Sequence, residues 1–158
     1  MITAKKCKVQ TRSGVMPDHK EGLVACKIIS LADVLSLLNT TGGNLCPMSG
    51  GDVIIGVDVH VNVPLGEAGV IDIGVDANLH SAADPDGLID SANGNVADTL
   101  YSTSDTVADA TAPTYCGALL DGGSHVCVGD GNLTIASSAD NTDTSALTGS
   151  IKIWYLPG

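Results

Sequence analysis

Apolar and polar residues alternate along residues 53–63, VIIGVDVHVNV, more regularly than elsewhere in the chain. Every odd position is Val or Ile, and the even positions are polar residues or glycine, except for Ile54. Successive side chains of a β-strand point to opposite faces, so this pattern predicts a strand with one buried, β-branched face. Residues 70–75, VIDIGV, repeat the alternation after a connection that contains Pro and Gly. We expect the two runs to form a hairpin on which the rest of the chain packs.

Short apolar runs between turn-forming residues predict further strands. They are residues 23–29, 98–102, 115–120, 125–128, 133–136 and 147–156. Residues 31–38 have the apolar spacing of a helix but are short for one, so helix and strand both stay open. Residues 39–51 and 76–97 are expected to be connections, the second with a tight turn at Asp84-Pro85-Asp86-Gly87. The pattern predicts an all-β fold, a β-sandwich or jelly roll of antiparallel sheets over residues 22–158.

The charge is distributed unevenly along the chain, which has a formal net charge of -11. All basic residues but Lys152 occur in the first 27 positions, and those of residues 1–21 are Lys5, Lys6, Lys8, Arg12 and Lys20. We therefore expect residues 1–21 to form a basic arm that docks on acidic protein surface. The body lacks the cations that would neutralise phosphates, so nucleic acid is not an expected partner.

No apolar run is long enough to span a bilayer, and residues 1–12 lack the apolar stretch of a signal peptide. The expected protein is soluble, made in the cytosol, and without a membrane partner.

Motifs of common enzyme classes, such as GxSxG, HExxH and the phosphate-binding loop, do not occur in the sequence. Asp58, His60 and Asn62 share the polar face of the central strand and could form an acid–base cluster. Such a face more often contacts solvent only. We expect no catalytic residue, no enzymatic activity and no cofactor.

Metal sites are weakly indicated. The five cysteines form no CxxC or CxxH pattern, which argues against zinc. Asp84, Asp86 and Asp90 resemble a fragment of a calcium loop but lack its remaining ligands, whereas aspartates also occur in turns for backbone capping. No metal site is expected.

Cys116 and Cys127 flank a segment with Asp121-Gly122 at its centre. With these two residues as a hairpin turn, the cysteines would stand opposite each other within disulfide reach. The alternative is a pair of reduced, buried thiols.

The last predicted strand has apolar residues on both faces near its end. Its odd positions can fill the core, whereas Trp154 and Leu156 occupy the other face. Large exposed apolar patches usually mark interfaces, so these two residues predict self-association. The alternative is that another segment of the same chain covers Trp154.

The sequence is similar in pattern to small all-β virion proteins of tailed bacteriophages, of the capsid decoration or cement type. The resemblance runs in order over residues 31–157. It rests on ADVL at 32–35, the alternating strand at 53–63, VIDIGV at 70–75, ADPDGLID at 83–90, NLTI at 132–135 and LTGSIKIWY at 147–155. The basic, cysteine-containing N-terminus and the segment at 39–50 depart from that pattern.

The resemblance implies a jelly-roll-like fold, a strand rather than a helix at residues 31–38, and a homotrimer bound to the major capsid protein on the outer capsid surface. The expected function is thus that of a structural protein that decorates and stabilises a phage capsid. The alternative is a receptor- or glycan-binding β-sandwich module of a head or tail fibre.

Overall fold

The computed structural model describes residues 5–9, 23–64, 69–94, 96–103, 116–121, 123–137 and 147–158, the first of these as backbone only. Within these ranges the chain forms ten strands and one short 3₁₀ helix, Leu31–Leu37. The strands are β1 (Lys5–Val9), β2 (Val24–Ser30), β3 (Gly43–Met48), β4 (Val53–Val63), β5 (Val70–Val75), β6 (Asp84–Asn93), β7 (Thr99–Ser102), β8 (His125–Val126), β9 (Gly131–Ser137) and β10 (Thr148–Leu156).

Two antiparallel sheets build a β-sandwich, as the alternating pattern predicted. The six-stranded sheet has the order β1-β2-β10-β4-β7, with β8 beside β4, and the four-stranded sheet has the order β3-β9-β5-β6. Leaving out β1 and β8, the pairing is nested along the chain: β2 with β10, β3 with β9, β4 with β7, and β5 with β6. Eight strands nested in this way across two sheets form a jelly roll.

The core lies between the sheets and consists of their alternating apolar faces. Val57, Val59 and Val61 of β4 are buried on the inner face of the six-stranded sheet. The same face includes Ile151, Ile153 and Tyr155 of β10, also buried. Opposite them, β5 and β9 bury Ile71, Ile73, Leu133 and Ile135. Each such side chain contributes roughly 1.5–3 kcal/mol through burial, so this layer supplies the main driving force for folding.

The predicted hairpin between β4 and β5 is wrong. β4 pairs with β10, β7 and β8, whereas β5 pairs with β6 and β9 in the other sheet. Each strand has one apolar face, and the two faces are buried on opposite sides of the core instead of side by side. Alternation identified the buried faces correctly, but it does not specify the neighbouring strands.

At the start of β4 a β-bulge reverses which residues point into the core and which point outward. Trp154 is in register with Gly56, and Tyr155 with Ile54, so Ile55 is an extra residue. A bulge places two residues opposite one and reverses the alternation beyond it. As a result Ile54 is fully buried and Ile55 is 37% exposed, the reverse of the sequence prediction.

Two segments predicted as connections are strands. Asp84-Pro85-Asp86-Gly87 begins β6 instead of forming a tight turn, and residues 43–48 form β3. β6 is the last strand of its sheet, and Pro85 is the second residue of that strand, a position at which proline is tolerated.

Two other segments also resolve differently from the sequence expectation. The 3₁₀ helix Leu31–Leu37 settles the open assignment in favour of a helical turn, against the strand that the resemblance implied. Side chains three residues apart share one face of a 3₁₀ helix, and Leu31 and Val34 are buried on it. The strand predicted at 115–120 is reduced, in its described part, to a bridge between Cys116 and Ile89, followed by a turn.

Gly74 in β5 permits a close approach of β6. A methyl group at this position would overlap the carbonyl oxygen of Asp84 and the backbone of Pro85. The register of β5 and β6 shifts at this point, between Ile73 and Val75. The two strands can lie this close only because Gly74 has no side chain.

We predict that Gly74→Ala destabilises the protein on the order of 3 kcal/mol, because backbone atoms cannot move aside as a flexible side chain does. Gly56→Ala is the matched control, since a methyl there would lie 3.4 Å from its nearest neighbour, Thr103 Oγ1. Urea unfolding of both variants measures the difference. Equal midpoints for Gly74→Ala and the wild type would contradict the proposed packing.

Candidate functional site

Trp154 lies near the centre of the six-stranded sheet, on the face that points away from the core. Its strand, β10, runs between β2 and β4, and Trp154 is in register with Cys26 on one side and Gly56 on the other. The indole is half-buried. A Cβ atom at Gly56 would be 3.9 Å from Trp154 Cδ1, an ordinary van der Waals distance, so the ring lies next to Gly56.

Asp58 fixes the indole ring. Trp154 Nε1 donates a hydrogen bond of 2.9 Å to Asp58 Oδ2, and Ser102 Oγ donates one of 2.5 Å to Asp58 Oδ1. The carboxylate thereby connects three adjacent strands, β10, β4 and β7. Hydrogen bonds to a charged acceptor are stronger than neutral ones. This gives Asp58, proposed from sequence as part of an acid–base cluster with His60, a structural role.

A row of apolar side chains crosses β10, β4 and β8 on the same outer face, next to the end of β10. Leu156 is in register with Val53, and Val53 with Val126. Leu156 and Val53 are half-buried, whereas Val126 is 54% exposed. Together with the bulge residue Ile55, these side chains and Trp154 form what we call the outer apolar patch. The sequence identified Trp154 and Leu156 but missed Val53, Ile55 and Val126, because the bulge and the pairing with β8 are not visible in it.

The half-burial of Trp154 and Leu156 corrects one premise of the predicted interface. Neither belongs to the exposed large hydrophobic residues, which within the described ranges are Ile55, Val63, Val96, Leu100, Val126 and Val128. The exposed part of the patch is supplied mainly by β8 and the bulge. Whether the patch is an interface stays a prediction.

The predicted basic arm includes an edge strand. Lys5, Lys6 and Lys8 are in β1, which pairs with β2 at the edge of the six-stranded sheet. Their opposite residues in β2 are Ile28, Lys27 and Ala25, respectively. Arg12 and Lys20 lie outside the described residues, and the division of the chain at residue 21 stays a prediction. At least one segment of the arm is thus joined to the sandwich.

The hairpin predicted to oppose Cys116 and Cys127 does not form. Cys116 bridges to Ile89 of the four-stranded sheet, whereas the backbone of Cys127 is bonded to Asp52 and Gly51 beside β4. Both Cys116 and Cys127 are reduced thiols in this structure. A turn is present where the sequence predicted one, because the N–H of Gly123 donates a hydrogen bond of 2.8 Å to the carbonyl oxygen of Leu120. The residues on its two sides pair in different sheets, so the turn does not bring the two cysteines together.

Several aspartates accept hydrogen bonds from loop backbone at one end of the sandwich. Asp52 is buried and accepts from the N–H groups of Ser49 and Gly158 at 3.0 and 2.9 Å. Asp76 accepts from the N–H groups of Leu79 and Asn132. Burial by itself raises the pKa of Asp76, but the hydrogen bonds from backbone N–H groups outweigh it and hold the pKa below its usual value. These carboxylates stabilise the loops at neutral pH, and Asp76 loses its contribution as the pH falls through its lowered pKa.

The residues of the weakly indicated calcium loop are in β6 and repel one another. Burial raises the pKa of Asp84, and so do a hydrogen bond that its protonated carboxyl group shares with the Asp86 side chain and the negative charge of Asp86. Burial also raises the pKa of Asp72 in the adjacent strand, with further increases from the charges of Asp90 and Asp86. Among the residues that the structure describes, no group of three or more His, Cys, Asp or Glu side chains is arranged to hold a metal ion. The same ranges contain no helix with the length and apolar character needed to cross a membrane.

Comparisons with known proteins give one informative result. No protein-family model matches the chain, and no curated protein matches it. The fold is similar to that of a chain in the solved structure of the capsid asymmetric unit of cyanophage Pam1, with a TM-score of 0.51. The alignment covers 91% of this chain and 92% of that chain at 11% sequence identity. At this identity the likeness establishes a shared fold, and it extends over nearly the whole of both chains.

We predict that Asp58→Ala releases the indole, because Trp154 Nε1 and Ser102 Oγ both lose their acceptor. The cost is about 1–2 kcal/mol, and acrylamide should quench the fluorescence of the single Trp more strongly. Asp58→Asn keeps one acceptor oxygen and serves as the control, with quenching close to that of the wild type. If Asp58→Ala is quenched no more than the control, the hydrogen bond does not hold the ring.

Proposed function

We propose that the protein is a non-enzymatic virion structural protein that decorates and stabilises a phage capsid from its outer surface. The observation that carries the proposal is the jelly-roll fold it shares, over more than nine tenths of both chains, with a chain of a cyanophage capsid. The sequence pattern shared with capsid decoration proteins supports the same function independently. No cofactor, nucleic acid or membrane is needed for this role.

The major capsid protein is the proposed partner, and the basic arm is the proposed contact. The chain as a whole has a formal net charge of -11, so the lysines of β1 are local positive charges on an acidic molecule. Among the described strands β1 is at the edge of its sheet, a position from which a strand can face another subunit. Opposite charges across an interface accelerate association and fix its orientation, which suits Lys5, Lys6, Lys8, Arg12 and Lys20 binding acidic capsid surface.

Self-association is proposed to use the outer apolar patch. Trp154 and Leu156 form its half-buried base, and Val126 and Ile55 its exposed part. An apolar surface of this kind, next to polar residues such as Asp58 and Lys152, fits an interface between identical copies. The patch supports association in general, and the number three comes from the resemblance to decoration proteins, many of which are trimers.

A glycan- or receptor-binding module is the second candidate, because jelly rolls also occur in lectins. Sugar sites usually present an exposed aromatic face for stacking. Trp154 is the single Trp of the chain, and its half-burial over Gly56 leaves less ring surface for a sugar. A glycan array therefore serves as the counter-test to capsid binding.

We predict that the protein co-sediments with capsid shells prepared without it and binds no glycan on an array. Lys5→Gln, Lys6→Gln and Lys8→Gln together should weaken capsid binding roughly tenfold at low salt, and the difference should shrink as salt screens the charges. Lys5→Arg, Lys6→Arg and Lys8→Arg together keep the positive charges and are the control, which should bind as the wild type does. Thermal melting of each variant establishes that it is folded.

Two results would contradict this account. Absence of wild-type protein from sedimented shells, or selective binding to a glycan, would reject the capsid role. Equal weakening by the arginine variant and by the glutamine variant would reject the charges of the arm as the contact.

We also predict that the protein is an oligomer in solution and that a substitution in the outer apolar patch dissociates it. Val126→Lys should convert it to a folded monomer in light scattering, because a charge would then face an apolar surface. Leu100→Lys is the matched control, since Leu100 belongs to the same sheet and is similarly exposed, at 51% against 54% for Val126. A monomeric wild type at micromolar concentration would contradict the proposal, as would loss of the oligomer in both variants.

A further inference from the structure

Two cysteines that are distant in the sequence stand opposite each other in the six-stranded sheet. Cys7 of β1 and Cys26 of β2 are direct partners in an uninterrupted antiparallel register. Opposed Cα atoms of antiparallel strands lie about 4.5–5.5 Å apart, inside the range of about 4.4–6.8 Å that a disulfide requires. The backbone alone therefore places this pair at bonding distance.

The other described cysteines have different surroundings. Cys46 and Cys127 are buried, and burial raises the pKa of each thiol to about 11. A thiol with a raised pKa forms little thiolate at neutral pH and reacts slowly in disulfide exchange. Cys116 is bridged to Ile89 in the other sheet. Cys26 is also buried, at 1% exposed, and it differs from these three cysteines in having a cysteine as its cross-strand neighbour.

We propose that Cys7 and Cys26 form a cross-strand disulfide that fastens the basic edge strand to the sandwich once the protein leaves a reducing cytoplasm. Within the described residues β1 pairs with β2 alone, so its attachment depends on a single ladder. A covalent bond in that ladder restricts the separated states of β1 and so favours the paired one. Disulfides are rare in the cytosol and persist on virion surfaces.

The oxidant is a small-molecule disulfide, represented by oxidised glutathione. One cysteine thiolate attacks a glutathione sulfur, forms a mixed disulfide and releases one glutathione thiolate. The second cysteine thiolate then attacks the mixed disulfide at the protein sulfur and releases the other glutathione thiolate. The two cysteines lose two protons and two electrons, and one glutathione disulfide becomes two reduced glutathiones.

The disulfide would change how firmly the basic strand β1 is attached to the sandwich. In the reduced form the strand that contains Lys5, Lys6 and Lys8 is held by backbone hydrogen bonds alone. In the oxidised form a covalent bond to β2 also holds this strand in place. This consequence for docking rests on the proposed function, but formation of the bond does not. A bond formed after release from the host would fix the docking strand when the particle needs it.

The test uses the full-length protein, purified in reduced form and equilibrated with oxidised glutathione. Remaining thiols are blocked with N-ethylmaleimide, and the protein is digested with trypsin without reduction. Cleavage after lysine separates residues 7–8 from residues 21–27, so the disulfide appears as these two peptides linked together. We expect this linked species to dominate, to disappear on reduction, and to be absent from Cys7→Ser but present in Cys116→Ser.

Hydrogen exchange gives a second readout that a random oxidation would not produce. Oxidation should slow amide exchange in residues 5–9 roughly tenfold or more, with no such change in Cys7→Ser. Recovery of Cys7 with maleimide, as a stable glutathione adduct, or linked mainly to another cysteine would overturn the proposal. Since no capsid is used, failure here leaves the capsid role standing, and absence of capsid binding leaves the disulfide standing.

Discussion

Burial of the inner face of β10 in the core between the two sheets is the constraint on which the rest of the structure depends. β10 ends the described chain yet lies between β2 and β4, so the six-stranded sheet is complete only when the last strand inserts. Ile151, Ile153 and Tyr155 then close the core from the middle of that sheet. Nested pairing of early with late strands makes these contacts long-range, which predicts slow and cooperative folding.

The outer surface follows from the same constraint. Because side chains alternate, burying Ile153 and Tyr155 places Trp154 and Leu156 on the opposite face. Trp154 lies there next to Gly56 and is held by the carboxylate of Asp58. The indole is oriented by one hydrogen bond and the row next to it is apolar, which gives the sheet a preorganised, partly hydrophobic surface. Such a surface suits protein contacts better than a catalytic site.

Local pattern predicted most of the buried rows, except at the bulge in β4, where Ile54 and not Ile55 is buried, but it did not predict which strands are neighbours. The rows of β4 and β10 were predicted because a period of two assigns each residue to a face. The pairing of β4 with β10 depends on residues far apart in sequence. The short connection between β4 and β5, which contains Pro and Gly, suggested a hairpin instead. The strand at Asp84-Pro85-Asp86-Gly87 was missed because turn propensity is local, whereas an edge position is a property of the whole sheet.

The residues of the two proposed contact surfaces, the outer apolar patch and the basic strand β1, were also only partly predictable from the sequence. The apolar end of β10 pointed to Trp154 and Leu156, and the charge distribution pointed to the lysines of β1. The bond from Trp154 to Asp58 and the exposed Val126 could not be predicted, because both depend on cross-strand register. The cysteines depend on register in the same way. The sequence suggested that Cys116 lies opposite Cys127, whereas the strand pairing places Cys116 opposite Ile89 and Cys7 opposite Cys26.

Hydroxyl-radical footprinting on assembled particles tests the central claim, that the outer face of the six-stranded sheet contacts other virion subunits. Oxidation of side chains is measured in the isolated wild type diluted to a monomer and in the particle-bound protein. The account predicts that Trp154, Leu156 and Val126 become protected in the particle, while the edge strand β6 of the other sheet stays equally reactive. Equal labelling of Trp154 and Val126 in both states, with protection of β6 instead, would contradict it.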